Sequence, residues 1–254
     1  MVVEHPRDVI KKEDSIMAYY FTARIANLLV RFTHRYLPFI TPNYFTVTSM
    51  VLALVAAYFF AQGDYNSVLW GLLFWHISFV FDCCDGHLAR MTGLKIIKGM
   101  WFDYHSDKIK DGVILLAIAW GAYSQAGSMY DFVGYSADSA IILVIAFLAI
   151  FFHFLRKINA LNRDVITLET RGTKDKARNV FNKDNKGQLL RTLKHTALFK
   201  IADRILLFTL FGLLDMMVEA LIIYALAAFF YSTVSGLLNY KVFDQLDKEL
   251  GNKQ

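Results

Sequence analysis

Long apolar runs separated by short polar segments make up most of the chain after residue 44. A helix that crosses a bilayer needs about 20 predominantly apolar residues, so runs near that length predict such helices. All three prolines precede the first run, which leaves every run free of the residue that most disturbs a helix. The pattern predicts six spanning helices, over residues 45–62, 67–81, 108–125, 139–156, 201–214 and 218–238.

Lysine and arginine are distributed unevenly among the loops between these runs. The loops around Asp64, over residues 126–138 and around Asp215 contain neither residue, whereas the alternate loops and the two terminal segments hold nearly all 27. Cytoplasmic loops of membrane proteins carry an excess of Lys and Arg. We therefore predict that both termini lie in the cytoplasm, with the protein in the inner (cell) membrane if the cell is prokaryotic.

The segment before the first run has a different pattern. Residues 16–39 place apolar side chains at helical spacing with Arg24, Arg31 and Arg35 among them, which is typical of an amphipathic helix at the cytoplasmic membrane surface. The predicted domains are an N-terminal segment over residues 1–44, a six-span domain over 45–240 and a cytoplasmic tail over 241–254. The first fifteen residues lack the features of a removable signal peptide, so we expect none.

Composition agrees with this layout. The 254 residues are 56% hydrophobic and 19% charged, with a net charge of +5, so the charges must be segregated from the apolar runs. The predicted fold class is an all-α, polytopic integral membrane protein. We expect the basic side chains to contact anionic lipid headgroups, and we do not expect nucleic acid as a partner. The adjacent Cys83 and Cys84 are expected to pack as small residues without a disulfide.

Four aspartates bracket the cytoplasmic ends of the second and third predicted helices. Asp82 and Asp85 are three residues apart and Asp103 and Asp107 are four apart, so each pair shares one helix face. Four carboxylates brought together at a membrane boundary need counter-charge, and hard oxygen ligands favour Mg²⁺, Mn²⁺ or Ca²⁺. The sequence therefore predicts a metal site that opens to the cytoplasm. His87 and His105 lie nearby in sequence and are expected to pack or to orient ligands.

Small residues and one arginine accompany the aspartates. Gly86 and Gly99 permit close approach of a ligand or a neighbouring helix, and Ala89 does nearly the same. Arg90 can neutralise a carboxylate or hold a phosphate through two parallel hydrogen bonds. Each of these residues taken alone is equally compatible with helix packing in a membrane.

Taken together, these residues fit the pattern D-x2-D-G-x2-A-R-x8-G-x3-D-x3-D, and the chain resembles the CDP-alcohol phosphotransferase family. The fixed positions are Asp82, Asp85, Gly86, Ala89, Arg90, Gly99, Asp103 and Asp107. The resemblance implies transfer of a phosphoalcohol group from a CDP-linked donor to an acceptor hydroxyl with release of CMP, in phospholipid or related biosynthesis. It also implies a homodimer.

The same resemblance assigns roles to the residues. Two divalent cations, Mg²⁺ or Mn²⁺, would be bound by Asp82, Asp85, Asp103 and Asp107, and Asp107 would also be the catalytic base. Nucleotide-binding residues would be Asn43, Thr46, Asp82, Gly86, Ala89, Arg90 and Gly99. For Asn43 and Thr46 the alternative is a helix start that is capped by Thr41 and has Pro42 in its first turn.

The acceptor is less well specified by the sequence. Arg156 and Arg204 lie close to apolar runs, where a charge needs a partner, and they are candidates for holding an alcohol or phosphoalcohol acceptor. The Asp111-Gly112 pair resembles a feature of family members that use inositol phosphates. The donor is CDP-diacylglycerol or another CDP-alcohol.

Two other functions fit part of the pattern. Membrane prenyltransferases also bind a pyrophosphate through aspartates and Mg²⁺, but they are expected to have two separate motifs and more spans. A cation channel or transporter would carry polar residues deeper within its spans, whereas polarity here lies near the predicted cytoplasmic ends.

Overall fold

The computed structural model describes residues 22–93, 97–127, 129–132, 135–169 and 201–251. These residues are helical apart from one hairpin, which confirms a helical fold. The helices are α1 (Ala23–Tyr36), α2 (Pro42–Gln62), α3 (Tyr65–Thr92), α4 (Ile97–Gln125), α5 (Ala140–Glu169), α6 (Ile201–Leu213) and α7 (Met217–Gly251). The hairpin lies within the loop predicted over residues 126–138 and pairs β1 (Met129–Phe132) antiparallel with β2 (Tyr135–Asp138).

Local sequence explains where α2 and α3 begin and end. Pro42 occupies the first turn of α2 after an extended Thr41, and Gly63 ends the helix in the left-handed region at φ 79°. Asp64 then caps α3, because its Oδ2 accepts a hydrogen bond from the Ser67 backbone N–H at 3.0 Å. Hydrogen bonds from the Ser67 side chain and then from its backbone lower the pKa of the Asp64 carboxyl.

Four helical segments are long and apolar enough to cross a membrane. They are α2, α3, the Ala140–Asn162 part of α5 and the Met217–Lys241 part of α7. The third predicted span corresponds to residues 108–125 of α4, where Lys108, Lys110 and Asp111 lower the apolar character. The fifth predicted span corresponds to α6, whose 13 described residues reach only about 20 Å. The protein is an integral membrane protein by this criterion, and six spans stay a prediction.

The described residues fall into two compact units, 22–144 with 201–220 and 145–169 with 221–251. In the first unit α2 packs on α3 and α4, and α1 packs on α3. One core cluster of this unit is formed by Ala26, Val30, Phe45, Cys84 and Leu88. Cys83 and Cys84 form no disulfide, and Cys84 is fully buried in this cluster, as expected for a small packing residue.

The N-terminal helix α1 lies within the segment predicted to be amphipathic. Its buried side chains are Ala23, Ala26, Val30 and Thr33, while Arg24, Arg31 and Arg35 are exposed. The residues before Thr22 lie outside the described part of the chain. The placement of α1 on the membrane surface stays a prediction.

The closest approach of α2 and α4 depends on Gly121. A Cβ atom at this position would lie 2.0 Å from the Phe60 carbonyl oxygen, a distance that real side chains do not adopt. We expect Gly121→Ala to lower the free energy of unfolding by about 1–3 kcal/mol, because the two backbones must separate. Thermal unfolding of the detergent-solubilised protein measures this change.

Gly236→Ala is the matched control for this prediction. The nearest atom to a Cβ there is Asn159 Nδ2 at 3.6 Å, which is an ordinary contact. Alanine is favoured over glycine inside a helix, so this variant should be as stable as the parent or more stable. Equal unfolding temperatures for the two variants would show that the Gly121 contact is not needed.

Candidate active site

Three of the four motif aspartates, from α3 and α4, meet beside α2, which packs on both of these helices. Carboxylate oxygens of Asp82, Asp85 and Asp103 all lie within 4.8 Å of one another. Two oxygens bound to one Mg²⁺ can be at most about 4.2 Å apart, and those bound to Ca²⁺ about 5 Å. The three side chains could therefore hold one divalent cation if the group contracts by about half an ångström or more for Mg²⁺. The helix-face spacing predicted that four carboxylates would converge, and three of them lie in this group.

Hydroxyl groups on α2 orient two of these carboxylates. Thr46 Oγ1 donates to Asp85 Oδ2 at 2.7 Å, and Ser49 Oγ lies 3.4 Å from Asp82 Oδ1. Thr46 and Ser49 are both buried. The Thr46 side chain thus donates a hydrogen bond to Asp85, while the Thr41 side chain makes no hydrogen bond that caps α2. Ser49 was not anticipated from the sequence, although it lies one helical turn after Thr46 on the same face.

Asp107 differs from the other three aspartates in its nearest partner. Its Oδ1 lies 3.0 Å from the Nζ of Lys110, one turn further along α4. Lys110 also forms an ion pair with Asp82 and donates to Ser49 Oγ at 2.9 Å. The sequence analysis overlooked Lys110, although its three-residue spacing from Asp107 places both on one face of the helix.

The environment of Asp103 shows why a cation is favourable here. Burial, followed by the negative charge of Asp107, raises the pKa of the Asp103 carboxyl. Both effects oppose ionisation of the carboxyl group. A divalent cation reverses this balance because it stabilises the charged form.

A cavity of about 240 Å³ lies against the aspartates. Its lining includes five of the residues predicted to bind nucleotide together with two of the aspartates. The full lining is Thr41, Pro42, Asn43, Thr46, Asp85, Gly86, Ala89, Gly99, Met100 and Asp103. Small residues on two helices thus leave room directly beside the carboxylates. Asp82 and Arg90 were predicted for the same site and are not part of this lining.

The position of Arg90 explains its absence from the cavity wall. Arg90 is exposed, one helical turn beyond Gly86. A Cβ atom at Gly86 would lie 3.2 Å from Arg90 Nη1, so the guanidinium extends across the glycine. Gly86 therefore opens the cavity wall and also gives Arg90 space.

The two histidines near the motif lie outside the carboxylate group. His87 is buried in α3, 2% exposed. His105 is exposed, its ring lies 4.1 Å from that of Trp101, and its Nδ1 lies 3.1 Å from the Trp101 carbonyl oxygen. Packing is the role that these contacts show for His105.

The two arginines proposed for the acceptor have different surroundings. Arg204 on α6 is buried and forms an ion pair with Asp111 on α4, while its guanidinium lies 5.9 Å from the Trp75 ring centre. Arg156 belongs to the second unit, where its guanidinium lies 5.5 Å from the centre of the Tyr231 ring. The sequence suggested both arginines but not the pairing of Arg204 with Asp111.

Comparison with known proteins identifies the family. Residues 39–229, most of the chain, match the family described as CDP-alcohol phosphatidyltransferase. The chain belongs to this family. All the motif residues, the cavity lining and Lys110 fall within the matched range. Membership in this family supports neither the transporter nor the prenyltransferase alternative.

A curated relative carries a more specific name. The chain is similar to an archaetidylinositol phosphate synthase from Pyrococcus horikoshii, with 37% identity over 83 residues. The match covers 32% of this chain and 42% of the relative, which is less than half of either protein. The CDP-alcohol phosphatidyltransferase family is therefore the level at which the two comparisons agree.

Proposed function

We propose that this CDP-alcohol phosphotransferase transfers a lipid phosphate group from a CDP-linked donor to the hydroxyl of an acceptor at Asp82, Asp85, Asp103 and Asp107. The observation that carries the proposal is the convergence of three carboxylates beside a cavity lined by Gly86, Ala89 and Gly99. The donor's pyrophosphate would lie against the carboxylates, and its cytidine would enter the cavity.

Bound divalent cations, Mg²⁺ or Mn²⁺, would neutralise charge on the pyrophosphate and on the departing CMP. Asp82, Asp85 and Asp103 would hold them, with Thr46 and Ser49 fixing the orientation of the carboxylates. Asn43 and Arg90 would contact the nucleotide or its phosphates. This division of roles follows the resemblance in the motif, and it is supported by the hydrogen bonds to Asp85 and Asp82.

Asp107 is proposed as the general base. Its side chain is 32% exposed, so an acceptor can reach it, whereas its partner Lys110 is only 5% exposed. Asp107 takes the proton from the acceptor hydroxyl as the oxygen attacks the lipid-linked phosphorus. The bond from this phosphorus to the oxygen of CMP breaks, and CMP leaves.

An inositol phosphate is the proposed acceptor. Two features favour it: the Asp111-Gly112 pair after the motif and the name of the Pyrococcus horikoshii relative. Arg204, oriented by Asp111, would bind the acceptor phosphate, with Arg156 as the second candidate. The donor is then a CDP-linked lipid, either CDP-diacylglycerol or an ether lipid of the archaetidyl type.

The proposed setting is a cell membrane with the active site facing the cytoplasm. The uneven distribution of Lys and Arg supports this orientation with six spans, both termini inside and α1 on the membrane surface. A homodimer is proposed from the family resemblance.

A substrate panel tests this function. The purified protein is incubated with CDP-diacylglycerol or its archaetidyl counterpart, Mn²⁺ or Mg²⁺, and one acceptor at a time, and CMP release is followed. We expect CMP with inositol phosphate, much less with glycerol phosphate or unphosphorylated inositol, and none in excess EDTA. No CMP with any acceptor would contradict the proposal, and CMP with glycerol phosphate alone would contradict the acceptor.

A further inference from the structure

We propose that Lys110 is an internal cation of this site, and that its ammonium group takes the place of a second metal ion between Asp82 and Asp107. Each chain then binds one divalent cation, through Asp82, Asp85 and Asp103. This inference rests on the proposed metal-dependent function. It revises the expectation of two cations per site.

The contacts of Lys110 are those of a cation held in place by acceptor groups of the protein. A lysine ammonium has three N–H donors. Three acceptors surround this one: Asp82 through an ion pair, Ser49 Oγ at 2.9 Å and Asp107 Oδ1 at 3.0 Å. Because the side chain is only 5% exposed, the acceptors are protein atoms and not water. The ammonium thus donates hydrogen bonds to Asp82 and Ser49 and forms an ion pair with Asp107.

The carboxylates form two overlapping groups, one around Lys110 and one that could hold a divalent cation. Asp82 Oδ1 and Asp107 Oδ1 face Lys110, whereas the group of converging oxygens comprises Asp82, Asp85 and Asp103 without Asp107. A second divalent ion between Asp82 and Asp107 would have to share their oxygens with the ammonium. Like charges at such a separation repel strongly in a partly buried site. The lysine therefore excludes the second ion.

A tethered ammonium also has a consequence for assembly of the site. The ammonium holds Asp82 on α3 and Asp107 on α4 together at any metal concentration, because Lys110 is part of the chain and does not dissociate. Removal of its charge should open the second position to a metal ion. The neighbouring Lys108 is a matched control, since its ammonium lies over the Tyr104 ring at 4.2 Å and its removal changes the net charge equally.

Counting bound Mn²⁺ tests the proposal without measuring turnover. Electron paramagnetic resonance of free Mn²⁺ is recorded during titration of the full-length protein in detergent, without donor. We expect one Mn²⁺ per chain for the parent and for Lys108→Met, and two for Lys110→Met. Two ions in the parent, or one in Lys110→Met, would overturn the inference while leaving a metal-dependent transferase in place. No bound Mn²⁺ in the parent would overturn the proposed metal site itself.

A second pair of variants keeps the test decisive if Lys110→Met does not fold. Asp107→Asn should keep one Mn²⁺ with affinity close to that of the parent, because Asp107 faces the ammonium. Asp103→Asn should weaken Mn²⁺ binding by about tenfold or more, since even groups that only orient a ligand contribute that much. Equal weakening by the two substitutions would show that Asp107 is a metal ligand and would overturn the inference.

Discussion

Asp107→Asn should reduce CMP release by at least about 100-fold, the lower end of what a general base contributes. Asparagine has nearly the same shape as aspartate but cannot take the proton of the acceptor hydroxyl at neutral pH. In the proposed binding mode the donor contacts the other aspartates and the cavity lining, so its binding should change little. Initial rates of CMP release at saturating donor and acceptor, together with equilibrium binding of the CDP-lipid, measure the two effects separately.

Asp64→Asn is the matched control for this substitution. Asp64 lies at the start of α3, far along the helix from Asp82, and asparagine caps helices as well as aspartate does. This variant should release CMP at the rate of the parent. Normal turnover by Asp107→Asn would rule out its role as base, whereas loss of donor binding would assign it to the donor site.

Arg204→Met should lower the free energy of unfolding by about 3–5 kcal/mol, the usual cost of removing one partner of a buried ion pair. Arg204 and Asp111 are 3% and 7% exposed, so the substitution removes one partner of a buried ion pair. Loss of an ion-pair partner is especially costly for a buried charge within a membrane protein. Denaturation of the solubilised protein, monitored by loss of helical circular dichroism, measures the change.

The double variant Arg204→Met/Asp111→Leu separates stability from function. It removes both charges, so most of the lost stability should return. If Arg204 binds the acceptor phosphate, the double variant should still have a strongly raised KM for inositol phosphate with an unchanged affinity for the donor. Full recovery of KM in the double variant would show that the pair only stabilises the fold. Equal instability of the single and double variants would argue against the cost assigned to breaking the ion pair.

The first part of the site was predictable because it depends on local helix geometry. Residues three or four positions apart share a helix face, so all four motif aspartates were expected to converge if the ends of the two helices meet. The structure brings the carboxylates of Asp82, Asp85 and Asp103 together, and it places Thr46 against Asp85. Their roles in binding metal and nucleotide stay predictions.

Partners contributed by other helices were not predictable from the motif. Ser49 on α2 and Lys110 on α4 contact Asp82, and Arg204 on α6 pairs with Asp111. These contacts depend on the packing of helices that are distant in sequence. A buried lysine or arginine signals that some carboxylate must be close, but it does not specify which one.

The span count and the hairpin show the limits of hydropathy. The first half of α4 carries the charged side chains Asp103, Asp107 and Lys110 of the candidate site. These charges make the helix less apolar than a membrane span usually is. The hairpin was missed because its strands are four residues each, within a loop recognised only by its lack of Lys and Arg. Its aromatic residues Tyr130, Phe132 and Tyr135 around Gly134 were the available signal.

Transfer of the lipid-linked phosphate is the central claim, and isotopic labelling tests it most directly. A CDP-lipid donor labelled with ³²P only at the phosphorus attached to the lipid is incubated with the purified enzyme, Mn²⁺ and inositol phosphate. We predict that the label appears in a lipid product that also contains the inositol, while the released CMP is unlabelled. Label in water-soluble phosphate, or unchanged donor after complete incubation, would contradict the account.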